Sequence, residues 1–167
     1  MIKQRIYSFP FLFLFFLMDT HISNAVNAIF SSEYKISCHF FVFFFLIFLV
    51  HMSEKRSMLF FATLIAFIFD YYYFNQLGIF IFSLPLVTFF IICLIQLFPK
   101  VIGGFQLFLL FFIFIFLLDV MSFIAARYFS LTHLTLSYFL TFQMLPTLFF
   151  NFITFLALKN LIRKQKA

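Results

Sequence analysis

Tryptophan is missing from this chain, glycine occurs three times and acidic residues only five times. Charged residues make up 10% of the 167 positions, against about a quarter in a soluble domain. So few charges cannot keep the surface of a folded domain in water, which excludes a soluble enzyme or binding module. The two cysteines, Cys38 and Cys93, lie in or beside separate apolar runs and form no CxxC, so neither a disulfide nor a thiolate metal site is expected. There is no Walker loop, GxSxG, HExxH or GxGD, and no serine-plus-lysine arrangement for proteolysis. The reading is therefore not an enzyme, with no cofactor and no metal. A net charge of +6 could point to nucleic acid, but the basic residues sit at segment ends rather than in a stripe.

What is present is hydrophobic sequence. Apolar residues make up 66% of the chain and the mean hydropathy is +1.17. The solvent for such a surface is lipid. The N-terminus has signal-peptide features in Lys3, Arg5, an apolar core and small residues near Ala25 and Ala28, but a retained first span is the expected reading. The expected fold is an all-α, polytopic bundle of six transmembrane helices in one integral membrane domain, residues 1–167. Spans are expected over about 6–26, 38–52, 58–73, 79–98, 105–128 and 137–158. The second is short, long enough to cross only where the bilayer thins or its ends snorkel.

With six spans, one side carries Lys3, Arg5, Lys55, Arg56, Lys100, Lys159, Arg163, Lys164 and Lys166, and the other only Lys35 and Arg127. Both termini are therefore expected in the cytoplasm. Three segments end an apolar run on an acid: FLMD at Asp19, FIFD at Asp70 and FLLD at Asp119. Each lies 14 residues beyond Arg5, Arg56 or Phe105, and so roughly 20 Å above the cytoplasmic edge at about 1.5 Å per residue. Three carboxylates at one outer level either line a polar site or mark helix ends paired with Arg127, His21, His133, backbone amides or water.

The stretch from Met58 to Gly78 places Ala62, Ala66 and Asp70 on one helix face, a small-residue stripe that admits close helix approach. In the last span Gln143, Thr147, Asn151 and Thr154 share a face, beside Pro146, which frees a backbone carbonyl that neighbours must satisfy. Asp19, Ser23 and Asn27 repeat that spacing in the first span. For the last-span stripe the commoner meaning is a bundle contact between helices rather than a ligand site, and the first-span repeat reads as a face turned towards protein. Tyr71, Tyr72 and Tyr73 read as an interfacial aromatic belt.

These residues resemble a family. AFIFDYYYFNQLGI, MLPTLFFN and FLFLFFLMDTHIS are similar to stretches of the bacterial rod shape-determining protein MreD, particularly its streptococcal and related Gram-positive members. Where that family often has glycine four and eight residues before the central aspartate, this chain has Ala66 and Ala62. The resemblance implies a non-enzymatic scaffold of the cell-wall elongation machinery (the elongasome) in the bacterial cell membrane. It implies partners in the single-span protein MreC, a RodA-type glycosyltransferase and its class B penicillin-binding protein. On this reading Ala62, Ala66, Asp70 and Gly78 bind the partner, while Asp19, Asp119, Gln143, Pro146, Thr147 and Asn151 make polar bundle contacts. The family also looks similar to the six-helix substrate-binding subunits of energy-coupling-factor vitamin transporters. The alternative function is therefore a vitamin-binding membrane subunit.

Overall fold

The computed structural model describes residues 2–30, 33–51, 54–74, 78–97 and 103–164. The turn at 75–77, Lys100 and Lys166 lie outside the described residues, as do the side chains of Lys3, Arg5, Tyr73, Lys159, Arg163 and Lys164. Among the described residues there is no strand, and six helices account for most of them. Helix α1 is Ile2–Ile29, α2 is Phe40–His51 and α3 is Lys55–Phe69, continued by a π turn over Asp70–Phe74. Helix α4 is Phe80–Leu97 and α5 is Gly104–Tyr128. Helix α6 is composite, with Leu136–Tyr138, a π segment Phe139–Met144, and Leu145–Lys164.

Among the described residues, four stretches are long and apolar enough to cross a bilayer: Pro10–Ile29, Phe80–Leu97, Gly104–Tyr128 and Leu136–Leu158. Helix α2 has only 12 residues, about 18 Å against a hydrocarbon core of about 30 Å. The deficit has a physical cause. Residues 34–39, expected as polar loop and the start of the second span, form no helix. Six such residues, extended at about 3.3 Å each, add roughly 20 Å of reach ahead of α2.

The chain divides into two compact units, Met1–Phe45 with Leu134–Ala167, and Leu46–His133, the boundary falling inside α2. In the first unit phenylalanine does the packing. Phe15 stacks on Phe44 with ring centroids 4.0 Å apart, Phe16 meets Phe41 edge-on, and Phe43 meets Phe155 edge-on. Leu12, Val42 and Phe45 are buried beside them.

In the second unit α4 packs against both α3 and α5. Met58, Ala62, Ile65 and Ala66 are buried on α3, Leu84, Val87 and Ile91 on α4, and Phe111, Phe114 and Ile115 on α5. The hydroxyls of Ser83 and Thr88 donate to the carbonyls four residues back, Ile79 and Leu84, which hides two polar groups in an apolar helix. At the start of α3, the Lys55 ammonium donates to the Leu49 carbonyl in the last turn of α2, and partial burial lowers its pKa.

The α3–α4 turn holds the one glycine with a positive φ. Gly78 has φ of 140°, and a Cβ placed there would lie 2.6 Å from the Phe129 ring. Gly78→Ala should therefore lower stability by about 1 kcal/mol or more, read as a lower thermal midpoint in detergent. Adding Phe129→Ala should restore only the share due to the ring contact. A Gly78→Ala midpoint equal to that of the unaltered chain would show that this turn tolerates a side chain.

Candidate functional site

Helices α2 and α4 share a difficulty that their own sequences do not solve. Each exposes unsatisfied amides at its N-terminus, and the residues before the first turn, His39 and Ile79, are not the usual capping types. In both, the carboxylate comes from the preceding helix. Asp19 in α1 accepts from the amides of Phe40 and Phe41, both at 2.8 Å. Asp70, at the end of α3, accepts from Gly78 at 2.9 Å, Phe80 at 2.8 Å and Ile81 at 3.0 Å. Asp70 is fully buried and Asp19 nearly so. A carboxylate against a helix N-terminus is favoured twice, by charge-assisted hydrogen bonds and by the helix dipole.

The extended stretch before α2 is satisfied in the same manner. Asn27 and Ile36 exchange two bonds, Ile36 N–H to Oδ1 at 2.7 Å and Nδ2–H to the Ile36 carbonyl at 3.0 Å. The Cys38 amide donates to Ser23 Oγ at 2.8 Å, and Ser23 donates to the Asp19 carbonyl. From the other side, the Lys35 amide donates to the Phe142 carbonyl, Ser37 to Thr147 Oγ1 and His39 to Asn151 Oδ1, at 3.0–3.1 Å. Asn151 Nδ2 returns bonds to the carbonyls of Ser37 and Thr147.

The even-numbered amides 36, 38 and 40 thus point to α1, and the odd-numbered 35, 37 and 39 to α6. An extended chain advances about 6.6 Å in two residues and a helix about 6.0 Å in four, so a two-residue period meets a four-residue one. This is why Asp19, Ser23 and Asn27 recur at four. On α6 the spacing is 142, 147, 151. The π segment contributes the extra residue, and Pro146, having no N–H, leaves the Phe142 carbonyl free to accept from Lys35.

The polar residues read from the sequence are distributed unequally over this arrangement. Asp19, Thr147 and Asn151 belong to it directly, and Pro146 through the carbonyl it releases. Gln143, half-buried, makes no bond in the ladder, because the π segment puts the Phe142 carbonyl where α spacing would have put the glutamine side chain. Thr154 turns inward and donates to the Phe150 carbonyl of its own helix. Asp119 is half-buried in the body of α5 and ends no helix, unlike Asp70.

Ala62 and Ala66, expected to face a partner, are fully buried within the chain. They share the face of Asp70, which bonds the first amides of α4, and α3 packs along α4; the stripe is thus closed from within. Gly78 is buried in the same turn. The exposed side of α3 carries Phe60, Leu64 and Phe67, followed by Tyr71 in the π turn. Among the described residues no group of three His, Cys, Asp or Glu side chains is placed to hold a metal.

The extended segment itself was missed by sequence reasoning, although a signal exists. Lys35-Ile36-Ser37-Cys38 alternates polar and apolar, and Ile36 and Cys38 are buried while Lys35 and Ser37 are exposed, the two-residue period of extended chain.

The sequence profile of the rod shape-determining protein MreD matches residues 3–165. The chain belongs to the MreD family. It is a membrane protein of the cell-shape machinery, and its apolar helices are those of a transmembrane member of that family. Neither a curated protein nor a solved structure matches it.

Removing an MreD carboxylate that holds buried amides should cost about 1–3 kcal/mol for each amide left unmade. Asp70→Ala strands three amides and Asp19→Ala two, so both should lower the thermal midpoint in detergent, Asp70→Ala by at least as much. Midpoints unmoved by either substitution would contradict the capping role.

Proposed function

We propose that this chain is a non-enzymatic scaffold of the elongation machinery, spanning the bacterial cell membrane several times with both termini in the cytoplasm. On this reading it binds an MreC-like single-span protein and supports peptidoglycan synthesis by a RodA-type glycosyltransferase with its class B penicillin-binding protein. The family match over residues 3–165 carries the reading. The segregation of Lys and Arg supports the orientation, and the equal separation of Asp19, Asp70 and Asp119 from Arg5, Arg56 and Phe105 supports a shared outer level. The second crossing combines the extended segment with α2, non-helical backbone at membrane depth being tolerated where protein encloses it.

Two features favour a scaffold over a vitamin-binding subunit. In transporters, half-helix N-termini stand free to receive an anionic solute. Here the N-termini of α2 and α4 are occupied by the chain's own carboxylates. The buried Asn151 and Thr147 side chains are likewise engaged with backbone.

In this scaffold the α3–α4 hairpin presents the partner surface. Ala62, Ala66, Asp70 and Gly78 set its geometry from inside, and the exposed side of α3 makes the contact. Capture of a tagged MreC-like protein by the full chain tests this. Ala66→Phe and Asp70→Leu, which disturb the hairpin from within, should each reduce capture severalfold at equal membrane abundance. Undiminished capture by both would remove the hairpin from the interface.

A further inference from the structure

The extended segment is held from its two sides by unlike means. Toward α1 the partners are close in sequence, 9 to 22 residues away, and include a carboxylate and a doubly bonded asparagine. Toward α6 the acceptors are a hydroxyl, an amide oxygen and a carbonyl, the first two lying 110 and 112 residues away in sequence. Charge-assisted bonds are roughly twice as strong as neutral ones, and short loops close with less loss of entropy. The α1 side is therefore the durable one.

The α6 side also depends on a register. Return of residues 139–144 to α spacing would rotate Thr147 and Asn151 by about 100° relative to Phe142. Pro146 opposes that return, because the α bond from position 146 to the Phe142 carbonyl cannot form without an N–H. The Lys35 amide takes that carbonyl instead. One turn further out, the Tyr138 hydroxyl donates to the Glu33 carbonyl in the same parallel sense.

We propose that residues 35–41 form a strap that stays hinged on α1 and opens from α6 as a unit, with Pro146 setting the register in which it closes. Opening bares the amides of Lys35, Ser37 and His39 together with Thr147 and Asn151. Lipid cannot satisfy these groups, so the open strap requires water or a polar partner at the outer face. The position of α6 is in this way linked to the exposed turn at Glu33 and Tyr34.

The chain has two native thiols suited to the test. Cys38 lies buried on the strap, and Cys93 lies half-buried in α4 of the other unit. Both are alkylated with N-ethylmaleimide in membranes holding the full chain, and each site is quantified separately by mass spectrometry. Thr147→Val with Asn151→Leu should speed alkylation of Cys38 about tenfold or more and leave Cys93 unchanged. Pro146→Ala alone should speed Cys38 by a smaller factor, again without Cys93. Two results overturn the strap. In one, the double variant leaves Cys38 as slow as in the unaltered chain. In the other, both thiols accelerate together, which means general loosening.

Discussion

A bilayer gives an interrupted backbone nothing to bond with, and two of this chain's helices start inside apolar sequence with no capping residue of their own. The constraint on which the rest depends is that each borrows a carboxylate from the helix before it. Asp19 holds the first amides of α2 and Asp70 those of α4. Each bond joins one helix to the next element and fixes where that element begins. Buried carboxylates are expensive in lipid, and these two are tolerable because helix N-termini surround them with donors.

From that anchor the first unit follows by geometry. Once Asp19 fixes the start of α2, the residues before it must run back along α1, and their amides alternate sides as any extended chain requires. Helix α1 answers every second amide with Asp19, Ser23 and Asn27. Helix α6 answers the others with the Phe142 carbonyl, Thr147 and Asn151, with the π segment absorbing the one-residue mismatch. Phenylalanine rings fill the remaining space, so the polar ladder lies within an apolar, closely packed unit. In the second unit the same device works over a short turn, where Gly78 brings its amide to Asp70 in a conformation other residues avoid.

Much of this was legible in advance. Hydrophobic runs place the long helices because lipid demands about twenty apolar residues per crossing. The four-residue spacing of Asp19, Ser23 and Asn27, and of Thr147 and Asn151, marks two polar faces that the structure does use. Their common target was not legible, since sequence spacing names the donor or acceptor face but not the backbone opposite it. Gln143 misled because an α spacing was assumed across a π segment, for which no local sequence rule exists apart from the adjacent Pro146. Ala62 and Ala66 misled differently. Small residues permit close approach by any helix, and the nearest one is the chain's own α4. As for the three aspartates, similar phrases proved unequal: Asp70 ends its helix, whereas Asp119 lies mid-helix in α5.

For an MreD-family protein, buried Asp19, Asp70, Thr147 and Asn151 side chains that bond the chain's own backbone suit a structural component of the cell-shape machinery. The central claim is that Asp19 and Asp70 close the N-termini of α2 and α4. Residue-resolved amide hydrogen exchange in lipid bilayers addresses it most directly, because first-turn amides of a helix ordinarily lack intrahelical partners. The account predicts that the amides of Phe40, Phe41, Gly78, Phe80 and Ile81 exchange as slowly as those in the helix interiors. Exchange of these five at the rate of open, water-exposed helix ends would contradict it.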